Sequence, residues 1–204
     1  MSKKIAIQGE LGAYSHIAAE NLYAGAEIKT CTTFEETFKQ AYNDQNYKIV
    51  IPIENSLAGR VADIHYLLPK YKLQIHGEYF QTVEHNLLCK QYATIDDIKY
   101  VRSHAQAIGQ CQNIINKRKF KSIVSADTAG SAKELAEGKD KSIAAIASEL
   151  SAKIYNLKIL EKNIEDEKGN VTRFLIMGKK IEQPEFKSNK NCLLYTSDAA
   201  DDTD

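Results

Sequence analysis

Several short polar clusters in this chain follow strand-like apolar runs, and each carries groups suited to holding or activating an anion. The first is Gly9-Glu10-Leu11-Gly12-Ala13-Tyr14-Ser15, directly after Lys4–Gln8. Glycines in a strand-to-helix turn let the backbone approach a ligand, and a helix start offers free N–H groups and a partial positive charge. Ser15 adds a hydroxyl at the same spot. The pattern is neither GxGxxG nor a Walker loop, because no Gly-Lys-Ser/Thr follows. An ordinary tight turn with Ser15 as the helix cap fits it as well.

The second cluster, Glu54-Asn55-Ser56, ends the apolar run Tyr47–Pro52, with Gly59 close behind. Open α/β sheets bind ligands at the carboxyl ends of their strands, although Asn and Ser are also common caps. The third holds Ser103, His104 and Gln110. Gln110 lies seven residues on, two helical turns from Ser103 and roughly on the same helix face, and Ser103 could cap that helix. The fourth is Asp127-Thr128-Ala129-Gly130. Four such clusters in one chain weigh more than any one of them. A last strand, Val171–Gly178, alternates so that Thr172 and Phe174 share one face and Arg173 takes the other. A threonine and an arginine beside a polar loop could meet an anionic substrate; a strand with a surface arginine is the plainer alternative.

Other chemistries lack a foothold. The cysteines (Cys31, Cys89, Cys111, Cys192) form no CxxC pair, and the histidines (His16, His65, His76, His85, His104) show no HExxH or HxH spacing. Free thiols and no metal site are expected. No GxSxG elbow is present. With 27 basic and 27 acidic side chains the chain has no net charge, so nothing points to nucleic acid. No run of about 18 apolar residues suggests a membrane span. The N-terminus turns polar at Gln8, too early for a signal peptide, so a cytoplasmic address is expected.

The elements that must position these clusters alternate in type. Strands are expected at Lys4–Gln8, Glu27–Cys31, Tyr47–Pro52, the strand-like stretch 73–90, Ile98–Ser103, Ser122–Ser125, Ser142–Ala147, Leu157–Leu160 and Val171–Gly178. Helices fall between them, including one over Ala105–Asn116. Thr33 is a natural N-cap for Phe34–Asn43, with Glu36 three residues on. This rhythm predicts an α/β fold with a largely parallel sheet. Residues 185–204 differ: they show no sustained period and end in four aspartates over seven positions. They read as a disordered or non-native tail, resembling translated vector or adaptor sequence. Residues 1–184 then carry 25 basic and 22 acidic side chains, a mildly cationic balance that suits an anionic small molecule.

Taken in order, IAIQGELGAYS, PIENSLAGRV, SHAQAIGQC, ADTAG, IAAIAS and GNVTRF resemble the catalytic domain of the prephenate dehydratase family, over about residues 3–182. PIENS-xx-G and N-x-T-R-F are specific to that family; the glycine turn is not. The resemblance implies a two-lobed fold of the periplasmic-binding-protein type II kind with a ligand cleft between lobes. Residues 1–79 plus 171–184 would form one lobe and 80–170 the other. It implies a lyase that converts prephenate, a dicarboxylate, to phenylpyruvate in phenylalanine biosynthesis. No metal or organic cofactor is implied, and a homodimer or higher oligomer is. Thr172 takes the position of the family's essential threonine. Asn55, Ser103 and Gln110 take positions linked to substrate binding or turnover. Ser15 and the turn at Gly12 would bind a carboxylate, and Arg173 would supply charge or brace the lobes. The chain departs from the family at Ala105 (usually proline), at Ala13-Tyr14 (often Thr-Phe) and at His65 (often Asp). Many members continue into an ACT-type domain that binds phenylalanine; here the tail stands in its place. The alternative from another class is a non-catalytic module of the same fold that captures an amino acid or small acid.

Overall fold

The computed structural model describes residues 3–179 and 192–194. In chain order its elements are β1 (Lys4–Gln8), α1 (Tyr14–Leu22), β2 (Glu27–Cys31), α2 (Phe34–Asn43), β3 (Tyr47–Asn55), β4 (Gly59–Arg60), α3 (Ala62–Tyr71), β5 (Gln74–Thr82), β6 (Asn86–Cys89) and β7 (Tyr100–His104). There follow α4 (Ala105–Gly109), α5 (Gln112–Arg118), β8 (Lys121–Ser125), α6 (Thr128–Glu137), β9 (Ile143–Ala147), α7 (Glu149–Ile154), β10 (Lys158–Glu161), β11 (Val171–Gly178) and β12 (Cys192–Leu194). Of the segment read as a tail, only β12 is described; the rest of that reading lies outside the described residues.

Two units emerge among the described residues: 3–8, 18–81, 171–179 and 192–194 form the first, 9–17 and 82–170 the second. The expected division differs mainly at Gly9–Ile17, which the sequence reading keeps with the first lobe. The reason is a set of hydrogen bonds made far along the chain. Ser148 and Ser151 Oγ donate to the Gly12 carbonyl at 2.6 and 3.0 Å, and Tyr155 Oη donates to the Leu11 carbonyl at 2.9 Å.

The first unit is built on a sheet of order β12-β5-β11-β3-β1-β2, with β4 paired to β3. β1 runs parallel to β2 and β3, but β11 runs antiparallel to β3 and β12 antiparallel to β5. The sheet is therefore mixed, a correction to the largely parallel expectation. β11 joins β3 from a remote part of the chain, so no local helical crossover sets its direction. β3 lies mid-sheet, which its unbroken apolar run requires; Ile49, Val50 and Ile51 are fully buried. Thr33 caps α2 as expected, accepting from the Glu36 N–H at 3.1 Å. Phe38 and Ala41 of α2 then pack with Ile49, Ile51, Ile64, Leu175 and Met177.

The second unit has the order β10-β6-β9-β7-β8 and is also mixed: β7 is parallel to β8 and β9, and β6 is antiparallel to β9 and β10. Strand alternation sends Leu87 and Ile146 into one apolar cluster and Leu88 and Ala145 into another, so both faces are covered. The single helix expected over Ala105–Asn116 is two, α4 and α5, broken at Gln110 and Cys111. Asp166 causes the break. Its carboxylate accepts from the Gln112 and Asn113 N–H groups at 2.8 and 2.9 Å, and its own N–H donates to the Gln110 carbonyl at 2.7 Å. A helix start can be capped from outside its own sequence, and here the cap comes from another loop.

Lys90 closes the other end of a helix. Only 7% exposed, it donates Nζ to the carbonyls of Leu135, Ala136 and Gly138 at 2.7, 3.3 and 2.6 Å, where α6 finishes. A cation there meets both the orphan carbonyls and the negative end of the helix dipole. Lys90→Met keeps the bulk and removes the donors, so unfolding free energy should fall by about 2–3 kcal/mol. Urea denaturation checks this; a change below about 0.5 kcal/mol would show that the carbonyls need no partner.

Candidate functional site

In the first unit, Thr172 on β11 sits directly across from Asn55 on β3. Thr172 is 8% exposed, and its Oγ1 accepts from Asn55 Nδ2 at 2.9 Å. That direction follows from the other half of the carboxamide. Asn55 Oδ1 accepts from the backbone N–H groups of Leu57 and Ala58 at 3.1 and 2.8 Å. An oxygen facing two N–H donors leaves the nitrogen to point at the threonine. The hydrogen of the Thr172 hydroxyl is then free to be donated elsewhere. The turn that supplies these N–H groups reverses through Gly59 at φ 81°, where a side chain would be strained, and enters β4. Ser56 ties the same spot to β11: its N–H donates to the Val171 carbonyl, and its Oγ accepts from the Val171 N–H, both at 2.9 Å.

Arg173, the next residue, pairs with Glu78 of β5, which is 3% exposed. The half-exposed guanidinium is thus held by a buried carboxylate, a partner sequence reasoning did not identify.

In the second unit, Gly12 has φ 91°, and a Cβ built on it would crowd the Ser151 Cα at 2.8 Å. Its N–H donates to His16 Nδ1 at 2.9 Å and its carbonyl takes the two serine hydroxyls already described. The Gly12 peptide is held on both sides. Ser15, in the first turn of α1, is 6% exposed. Gln110 ends α4, where Oε1 lies 2.9 Å from His85 Nε2 and 3.0 Å from Asn170 Nδ2. Tyr14 Oη, 3.1 Å from His85 Nδ1, donates to the Glu84 carbonyl at 2.6 Å.

Ser103 does not take the cap position that the sequence reading allowed it. It is fully buried in β7, and its Oγ donates to the Ile146 carbonyl at 2.7 Å. It caps no helix: His104 does, with Nδ1 accepting from the Gln106 N–H at 3.3 Å. Because Ser103 lies in β7 and α4 begins only at Ala105, Ser103 and Gln110 also share no helix face. Asp127 is an ordinary N-cap, accepting from the Gly130 N–H at 2.6 Å.

The structure therefore joins Thr172 with Asn55, and Gln110 with His85 and Asn170. Sequence reasoning passed over His85, Asn170, Tyr14 and Glu78. Asn170 stood inside the GNVTRF motif; His85 gave no spacing signal. Burial pushes the His85 pKa down and the Tyr14 phenol well up. It also raises the thiols of Cys31, Cys89 and Cys111, which disfavours thiolate chemistry at them. Among the described residues no three His, Cys, Asp or Glu side chains gather as a metal site, and no helix is long and apolar enough to cross a membrane.

A lowered His85 pKa means that the folded state holds fewer protons than the unfolded one just below the ordinary value of about 6.5. His85 therefore contributes stability above that pH and loses it as pH falls through its folded pKa. Wild-type unfolding free energy should decline from pH 7.5 to 5.5 more steeply than that of His85→Gln. Equal slopes in urea titrations would refute this.

The family model described as "Prephenate dehydratase" matches residues 5–182. "Arogenate dehydratase/prephenate dehydratase 2, chloroplastic" of Arabidopsis thaliana is 40% identical over 176 residues, which is 86% of this chain and 46% of the plant protein. The "Bifunctional N-acyl-homoserine lactone acylase/prephenate dehydratase" of Komagataeibacter europaeus is also 40% identical, over 86% of this chain and 63% of that protein. The crystal structure of the Staphylococcus aureus prephenate dehydratase superposes with a TM-score of 0.74 at 28% identity, covering 88% of this chain and 67% of that one. The chain thus spans about half the length of the plant relative and under two thirds of the Komagataeibacter one.

Proposed function

Because the chain belongs to the prephenate dehydratase family, we propose that it converts prephenate to phenylpyruvate in phenylalanine biosynthesis, with Thr172 meeting the departing hydroxyl. In this reaction the ring carboxylate leaves as carbon dioxide, and its C–C electron pair enters the ring. The C–O pair leaves with hydroxide, which takes up a proton to become water, and the ring becomes aromatic. Much of the driving force is therefore the substrate's own. What the protein must supply is a grip on two carboxylates and stabilisation of the leaving oxygen.

The observation that carries the reading is the direction of the Asn55–Thr172 hydrogen bond. Asn55 donates into Thr172 Oγ1, so the threonine O–H donates outward. A threonine hydroxyl is a very weak acid, so it acts as a hydrogen-bond donor to developing charge rather than giving up its proton outright. The Asn55 N–H in turn stabilises the negative character that this donation leaves on Thr172 Oγ1. For the carboxylates we assign the Gln110 Nε2 donor and Ser15; the Gly12 peptide, engaged on both sides, holds the turn before α1 rather than donating to them. Arg173, its charge paired with Glu78, braces β11 against β5, and Ser103 braces β7 against β9 through the Ile146 carbonyl.

Thr172→Ala and Thr172→Val should each lower kcat by about 10²- to 10⁴-fold in a phenylpyruvate absorbance assay, while Thr172→Ser retains most of it. Asn55→Asp should lose roughly 10²-fold, because a carboxylate there would accept the threonine's hydrogen and turn it inward. Undiminished turnover in Thr172→Val would remove Thr172 from the chemistry. Absence of turnover in the wild-type chain, alongside tight binding of an amino acid by calorimetry, would favour a binding module instead.

A further inference from the structure

The orientation of a glutamine side chain decides whether it attracts or repels a carboxylate, since one end of the carboxamide donates and the other accepts. At Gln110 that choice is made by two neighbours. Its Oε1 lies 2.9 Å from His85 Nε2 and 3.0 Å from Asn170 Nδ2. With the imidazole hydrogen assigned to Nε2, and Nδ1 accepting from the Tyr14 hydroxyl that is shared with the Glu84 carbonyl, a ring N–H and an amide N–H occupy both lone pairs of the oxygen. The flipped rotamer would set the Gln110 N–H₂ against the same two donors, so it is disfavoured twice. Resting on the assignment of Gln110 to substrate binding, we propose that His85 is a positioning residue which, with Asn170, locks the Gln110 carboxamide with its N–H₂ group toward the substrate carboxylate.

Both clamping residues are themselves held. His85 is 2% exposed; its N–H donates to Glu165 Oε2 at 3.0 Å, and its carbonyl accepts from the Ile164 N–H at 2.9 Å. The Tyr14 ring stands edge-on to the imidazole, with centroids 5.9 Å apart. Asn170 is also 2% exposed, and its carbonyl accepts from the Val83 N–H at 2.8 Å. The Gln110 backbone is fixed between Gln106, which accepts its N–H at 3.0 Å, and Asp166, which donates to its carbonyl at 2.7 Å. Among the described residues no protein group accepts from Gln110 Nε2. The helix break at Gln110 places the side chain where this clamp can reach it. His85 does not touch substrate in this arrangement; it acts through Gln110.

Steady-state kinetics with prephenate on the full chain test the proposal. His85→Leu should raise KM about tenfold and leave kcat within about threefold, since a ground-state contact is lost. His85→Gln carries an amide N–H near the position of the ring Nε2 and should restore KM to within about threefold of wild type. In a Gln110→Ala background, His85→Leu should change KM less than about twofold, because the group it positions is gone. Multiplicative effects of the two substitutions, or His85→Gln as poor as His85→Leu at unchanged melting temperature, would overturn the positioning role while leaving the dehydratase reading intact. If His85→Leu does not fold, Asn170→Asp replaces it in the same cycle with the same expectations. A wild-type chain without turnover overturns both readings together.

Discussion

A carboxamide has one donating and one accepting end, and in this protein the ends of Asn55 are assigned by the backbone. The Leu57 and Ala58 N–H groups occupy its oxygen, so its nitrogen turns to Thr172. Without that constraint the threonine could spend its own hydrogen on Asn55 and have none to offer. The constraint needs β3 and β11 in register at this pair, which the buried middle of the sheet enforces. It also needs the chain to reverse within four residues, which Gly59 permits. Core packing and site chemistry meet at one side chain.

The same logic recurs at Gln110, where the local geometry depends on a loop far along the chain. Asp166 interrupts what periodicity would extend as one helix, and the interruption delivers Gln110 to His85 and Asn170. Fixed amides cost little reorganisation when charge develops or a carboxylate arrives, which is how hydrogen-bond donors become useful in a protein interior.

Much of the scaffold was legible in the sequence. β1 and β2 have the expected limits, and Thr33 caps α2 as its spacing suggests, because these features depend on neighbours in sequence. What escaped depends on partners remote in the chain. Strand direction in both sheets, the α4–α5 break, the assignment of Gly9–Ile17 and the pairing of Arg173 with Glu78 all belong to this class. Ser103 illustrates the limit most clearly. A serine at a strand-to-helix junction suits a cap, a ligand contact or a buried sheet bond equally well, and only the position of Ile146 decides among them. Asn55 and Thr172 were found through motif resemblance, but the direction of the bond between them needed the turn at Leu57 and Ala58.

Gly12 is constrained for two unrelated reasons, a left-handed backbone and the nearness of Ser151. Shrinking Ser151 would remove its hydroxyl but not its Cα, 2.8 Å from where a methyl group at position 12 would sit, and would leave the torsional penalty untouched. No single compensating change elsewhere can therefore rescue a larger residue at this position. Sequence drift along this lineage should find position 12 closed, even where residues nearer the chemistry tolerate exchange.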